Sequence, residues 1–321
     1  MTEATAIIET RGLRRVFKSR KGEVEAVAGV DLTVRQGEIF GFLGPNGAGK
    51  TTTLRMLSTL LPPSGGTARV AGCDLASQPD RIRERIGYVG QAGGGDRDIT
   101  GRRELVFQGR LYGMSSADAA KRAAQLIAML ELEVCADRAG STYSGGQKRR
   151  LDIGLGLVHD PQLLFLDEPT TGLDPQSRAR VWDEVQRMHE RGTTVFLTTH
   201  YLDEADALCD RIAIIDHGQI VAEGTPEDLK RAVAGDVVTL SVAGDQQRVL
   251  ELIQPQPFVR EGRVENGSVL LYVDRGEVAM PDILRLLDGA GIQLLTIGLH
   301  RPSLDDVFLR KTGRSLRETA A

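Results

Sequence analysis

Apolar and polar residues alternate along 7–17 and again along 24–34, with Arg20-Lys21-Gly22 as turn material between the runs. That pattern predicts two antiparallel strands at the start of the chain. The next apolar block, Ile39-Phe40-Gly41-Phe42-Leu43, does not alternate and reads as a buried strand, and residues 51–61, closed by Pro62-Pro63, read as a helix. Residues 65–74 suggest a short strand and turn, and Ile86-Gly87-Tyr88-Val89-Gly90-Gln91 a buried strand with a polar end. The glycine-dense Ala92-Gly93-Gly94-Gly95-Asp96 then reads as a hinge. Helical spacing runs through 103–132, strongest over 118–130, and returns after Ser144-Gly145-Gly146-Gln147 as far as His159. Leu163-Leu164-Phe165-Leu166 and residues 193–198 are further buried strands, with a helix opened between them by Asp174-Pro175. Residues 211–222 read as two short strands around Asp216-His217-Gly218.

Beyond residue 235 the rhythm changes. Strand, helix, two strands, helix and strand follow in the order βαββαβ of a ferredoxin-like unit. A capping box, Ser303 to Asp306, then opens a last helix whose apolar face is Leu304, Val307 and Phe308. That face is expected to be offered to a partner. The patterns predict an α/β core over 5–235, in which a parallel sheet is joined by an antiparallel β subdomain and a helical subdomain at about 92–160. A small α+β accessory domain at 236–321 completes the chain.

Composition narrows the classes. A net charge of −4 over 321 residues argues against broad nucleic-acid binding, and the run Lys148-Arg149-Arg150 reads as a solvated face. The three cysteines, Cys73, Cys135 and Cys209, are scattered without metal-ligand spacing, which fits a reducing compartment and no structural zinc. No apolar run reaches the length of a membrane span and the N-terminus lacks a signal-peptide core, so a membrane role is expected to come through a partner.

The chemistry centres on Gly44-Pro45-Asn46-Gly47-Ala48-Gly49-Lys50-Thr51, which fits G-x-x-x-x-G-K-[ST] between a strand and a helix. Its glycines let successive N–H groups turn inward on phosphate oxygens, Lys50 would reach the β and γ phosphates, and the Thr51 hydroxyl would hold Mg²⁺. The core is thus a P-loop NTPase core. Asp167 and Glu168 end an apolar strand, an expensive place for unpaired acids, and are expected to face Mg²⁺ and the γ phosphate. His200 ends a neighbouring core strand, on the sheet edge where such sites form. Several residues stay open on their own evidence. Gln91 is a loop cap or a metal ligand, Ser144 an ordinary N-cap or part of an anion site, Phe17 a core aromatic or a base-stacking surface, and Asp174 reads as an N-cap.

Taken together, the phosphate loop, Gln91, Ser144-Gly145-Gly146-Gln147, Leu163 to Pro169, Leu173-Asp174 and His200 resemble, in order and spacing, an ATP-binding-cassette transporter ATPase subunit. The resemblance implies ATP and Mg²⁺ as cofactors. It assigns nucleotide contacts to Phe17, Gly44, Pro45, Asn46, Gly47, Ala48, Gly49, Lys50, Thr51, Thr52, Gln91, Asp167 and Asp174, with metal contacts at Thr51, Gln91 and Asp167. Catalysis falls to Glu168 and His200. Ser144, Gly145, Gly146 and Gln147 would close on the ATP of a second subunit in a head-to-tail dimer. A separate membrane permease is the other implied partner, at the cytoplasmic face of the membrane.

Tyr143 before Ser144, the run Gly146-Gln147-Lys148-Arg149-Arg150-Leu151-Asp152 and the tail Ser303 to Leu309 resemble bacterial daunorubicin-type exporters. The three glycines after Gln91 depart from that pattern. The rival reading is a soluble cassette acting on ribosomes or nucleic acid, but one cassette with a short helical insertion favours transport.

Overall fold

A computed structural model describes residues 5–19, 22–96, 98–265, 267–300 and 303–312. The turn residues Arg20 and Lys21 lie outside them. Two compact units divide between Glu223 and Gly224.

The first unit is built on a six-stranded sheet, in the spatial order Gln219–Gly224, Arg211–Asp216, Ile39–Leu43, Thr194–Thr199, Leu163–Asp167, Ile86–Val89. The four strands from Arg211–Asp216 to Leu163–Asp167 are joined by parallel pairings, and Ile86–Val89 continues them in parallel at the edge. Parallel strands of this kind are covered on both faces, so their sequences are apolar throughout rather than alternating. Phe196 is the hub of the packing, with the rings of Phe40, Phe42 and Phe165 each 5.6 Å from its own. Register then decides where chemistry can happen. Leu43 pairs with Thr199 and Asp167 with Thr198, so the phosphate loop, the paired acids and His200 leave the sheet along one edge.

Ala6–Ser19 and Gly22–Arg35 pair antiparallel, as their alternation predicts, and Gly65–Val70 joins them, so residues 65–74 extend this sheet. The helical region differs from expectation in one respect. Instead of one run over 103–132 there are two helices, Gly101–Leu111 and Ser116–Met129. Gly113 turns the chain at φ +82°, and Ser115 caps the second helix by accepting from Asp118 N.

The second unit orders its strands Val259–Glu265, Ser268–Val273, Asp236–Val242, Leu294–His300, all antiparallel, with the helices Gln246–Ile253 and Gly276–Gly289 supplying the rest of its core. This is the βαββαβ arrangement read from the sequence. Two differences stand out. The helix Pro226–Ala234 belongs to this unit, not to the core domain, because it packs against Leu304–Thr312. The apolar face of that last helix is therefore not offered outward: Leu304, Val307 and Phe308 are at most 2% exposed within the unit.

Candidate functional site

The phosphate loop is held by close backbone approaches that explain its glycines. A Cβ at Gly44 would meet Ile215 O at 2.3 Å, and one at Gly49, which has φ +107°, would meet Ala26 O at 2.5 Å. The loop leads directly into the helix Lys50–Leu57, with Lys50 Nζ folded back to donate to Gly44 O at 2.7 Å and Pro45 O at 3.1 Å. Ala48 is buried and tied to the loop after Asp216, its carbonyl accepting from Gly218 N at 2.9 Å. Asn46, Gly47, Gly49, Lys50, Thr51, Thr52, Gln91 and Glu168 border a cavity of about 440 Å³. Ala26 borders it too, and nothing in its sequence context marks it.

Across the cavity mouth, the acids are organised around Thr198. Asp167 Oδ1 accepts from Thr51 Oγ1 at 3.0 Å and from Thr198 Oγ1 at 2.7 Å. The Glu168 amide donates to Thr198 O at 3.1 Å and Oγ1 at 3.0 Å, and Glu168 itself adopts left-handed backbone at φ +45°. Its carboxylate lies 3.3 Å from Lys50 Nζ and 3.3 Å from His200 Nδ1, and accepts from Gln91 Nε2 at 3.1 Å and Thr171 Oγ1 at 3.2 Å. Burial pushes this carboxyl up, but the neighbouring His200 ring and the Lys50 charge outweigh it and hold it at about 2. Lys50 is also shifted down, against what an ion pair alone would do. It is so enclosed that desolvation outweighs the attraction of Glu168 and Asp167. An oxygen-only pair, Thr51 Oγ1 beside Asp167 Oδ1, is the donor set a hard divalent cation takes.

The Ser-Gly-Gly-Gln stretch forms a capping box. Ser144 Oγ accepts from Gln147 N, and Gln147 Oε1 accepts from Ser144 N, at the start of the helix Gly145–Leu157. Gly146 is packed so closely on Ser177 that a Cβ there would meet its Oγ at 2.7 Å, while Asp174 caps the helix Pro175–Glu190 by accepting from Ser177 N at 2.9 Å. None of Ser144, Gly145, Gly146, Gln147 or Asp174 borders the phosphate-loop cavity, nor does Phe17, an exposed residue with the Arg15 guanidinium 4.8 Å over its ring.

Sequence reasoning missed four supports. Thr198 reads there as ordinary strand. Arg149 and Arg150, read as a solvated face, are buried at 6% and 5% exposure and donate to backbone carbonyls. Glu204 is fully buried, accepting from Thr170 Oγ1 at 2.8 Å and from Trp182 Nε1 at 3.1 Å, and burial pushes its carboxyl up. Its position in an H-x-x-x-E spacing from His200 was the available signal.

The sequence profile of a family described as "ABC transporter" matches residues 27–171, and one described as "ATP-binding protein DrrA1-3-like, C-terminal domain" matches 224–312. The chain is 46% identical to the daunorubicin/doxorubicin resistance ATP-binding protein DrrA of Streptomyces peucetius, an alignment covering 99% of this chain and 98% of that protein. The chain belongs to the ABC transporter ATP-binding proteins. As an ABC ATPase it binds ATP and couples hydrolysis to transport. It is also 37% identical, over 94% of its length and 98% of the other's, to the linearmycin resistance ATP-binding protein LnrL of Bacillus subtilis (strain 168). A solved dimeric, post-hydrolysis ATP-binding cassette bound to ADP and Pi matches with a TM-score of 0.63 at 25% identity, covering 68% of this chain and 98% of that one. Among the described residues of the ABC ATPase, no helix is long and apolar enough to cross a membrane.

Proposed function

We propose that this ABC ATPase powers export of a drug, antibiotic or other hydrophobic substrate through a separate integral-membrane permease, from the cytoplasmic face of the membrane. Two copies act head to tail. The observation that carries the pairing is a divided site: the phosphate loop, Gln91 and Glu168 border one cavity, while Ser144 to Gln147 lie off it with their helix start exposed. A helix N-terminus carries free N–H groups and a partial positive charge, and those of a second copy would meet the terminal phosphate. The export reading is supported by relatives named for drug resistance, with which the similarity runs through both units.

Within one copy, the loop amides and Lys50 hold phosphate oxygens. Thr51, Asp167 and Gln91 would hold Mg²⁺, which when bound neutralises charge on the phosphates. Phe17 gives the adenine a stacking face, Thr52 and Asn46 line the phosphate cavity, and Asp174 stations the loop facing the other copy. Glu168 takes the proton of the attacking water and His200 orients the carboxylate. His200 and the Lys50 ammonium, each 3.3 Å from the Glu168 carboxylate, together hold it below the ordinary carboxylate range. Phosphate oxygens would compete for the Lys50 ammonium and so relieve one of the two contacts that lower the carboxylate.

Glu168→Gln tests the chemistry. It is expected to bind ATP yet lose roughly 10² to 10⁴ in turnover, and to accumulate as an ATP-bound dimer in size-exclusion chromatography. Turnover at the wild-type rate would remove Glu168 from this role. Ser144→Arg tests the pairing: ATP binding to one copy should persist while dimerisation and hydrolysis fail together. Collapse of nucleotide affinity instead would place the Ser144 segment within its own copy's site. For the cargo, co-expression with the permease should raise daunorubicin tolerance of a sensitive host, and Glu168→Gln should abolish the gain.

A further inference from the structure

Arg149 sits one turn into the helix that Ser144 caps, yet its side chain is 6% exposed and reaches the ends of the strands Leu163–Asp167 and Ile86–Val89. Its guanidinium serves three separate pieces of backbone. Nε donates to Pro169 O at 2.7 Å, Nη2 to Asp167 O at 3.1 Å and Nη1 to Gly90 O at 2.7 Å. The first two carbonyls flank Glu168, and the third precedes Gln91, whose amide donates to Glu168 at 3.1 Å. Glu168 is held in left-handed backbone, a conformation a non-glycine residue keeps only when its surroundings over-determine it. Arg149 supplies that determination from one side and Thr198 from the other.

A side chain wanted only for filling would not be this one. All three of these acceptors are neutral carbonyls, and burying a guanidinium is costly. What only arginine offers is a planar fork of donors that can reach three carbonyls at once; an ammonium is a single point on a flexible stem. We propose that Arg149 is a positioning residue for hydrolysis, carrying the seat of the Ser144 helix to the Glu168–Gln91 pair so that the carboxylate is aimed when that helix is in place. The proposal rests on the reading of Glu168 as the base.

Arg149→Lys in the full-length chain keeps the charge and removes the fork. Misplacing a reacting group by a fraction of an ångström to 1 Å costs about 10- to 100-fold, so kcat is expected to fall by that factor. KM and the Kd for ATP should stay within about twofold of wild type, because the phosphate loop is untouched. Single-turnover hydrolysis by the Arg149→Lys/Glu168→Gln double variant should match Glu168→Gln alone within about twofold, since a group that acts through Glu168 has nothing left to act on. Unchanged kcat in Arg149→Lys beside lost turnover in Glu168→Gln would overturn the proposal alone. So would loss of folded protein, or a fall in melting temperature and ATP affinity with additive rate loss in the double variant, because these assign Arg149 to the fold. Wild-type turnover in Glu168→Gln would overturn the reading of Glu168 and this proposal with it.

Discussion

Thr198 carries two jobs on one hydroxyl: it donates to Asp167 Oδ1 and accepts from the Glu168 amide. Thr198→Val keeps shape and β-branching and deletes both bonds. Leaving a buried carboxylate oxygen and an amide short of partners costs about 1–3 kcal/mol, so thermal unfolding should come earlier and ATP hydrolysis should slow. Unchanged melting and turnover would show that Thr198 O and Thr51 suffice. At this scale the sequence was legible wherever chemistry leaves few alternatives, as in the phosphate-loop letters or acids closing an apolar strand. It was not legible for Thr198, because a threonine in a strand is explained by β-branching alone. Nor was it for Arg149, because a basic run looks like a solvated face until tertiary carbonyls are there to receive it. Phe17 marks another boundary, since a hairpin aromatic has the same spacing whether it packs or lies exposed as it does.

Among the elements, the helix Pro175–Glu190 carries an acid where its pattern wants an apolar residue. Glu184 is 2% exposed, with Arg187 on one oxygen at 3.1 Å and the other oxygen unpaired. Burial, with Glu131 nearby, raises its carboxyl to about 7 against the pull of Arg187. A raised acid binds its proton more tightly folded than unfolded, so the protein loses stability as pH climbs from the ordinary carboxylate range through about 7. Glu184→Gln, which cannot ionise, should therefore melt progressively higher than wild type as pH rises from about 5 to about 8. A constant offset across that range would contradict the shift. The capping box makes a plainer case: Ser144→Ala removes the Oγ acceptor for Gln147 N and should cost about 1 kcal/mol in chemical denaturation. Most elements were readable because period and caps agree. The split of the 103–132 helix was signalled by Gly113 and Ser115, but apolar spacing continued across them and masked the break.

At the level of the whole molecule, the two units carry separate cores, and the last helix belongs to the second one. Phe308 is completely buried there, so Phe308→Ala should destabilise that unit by about 3–5 kcal/mol through cavity formation. Calorimetry should show an earlier transition while ATP affinity of the full-length chain holds. A normal melt with weakened pairing would instead make Phe308 a contact between copies. An amphipathic face in sequence does not say what covers it, and here the cover is the helix Pro226–Ala234, across an expected domain boundary. One last property follows from the bond between Trp182 and Glu204. The chain has a single tryptophan, and its indole hydrogen-bonds the acid that also holds Thr170, two residues beyond Glu168. The protein thus contains a single built-in fluorophore, whose emission is set by the Glu204–Thr170 surroundings and needs no attached dye to be read.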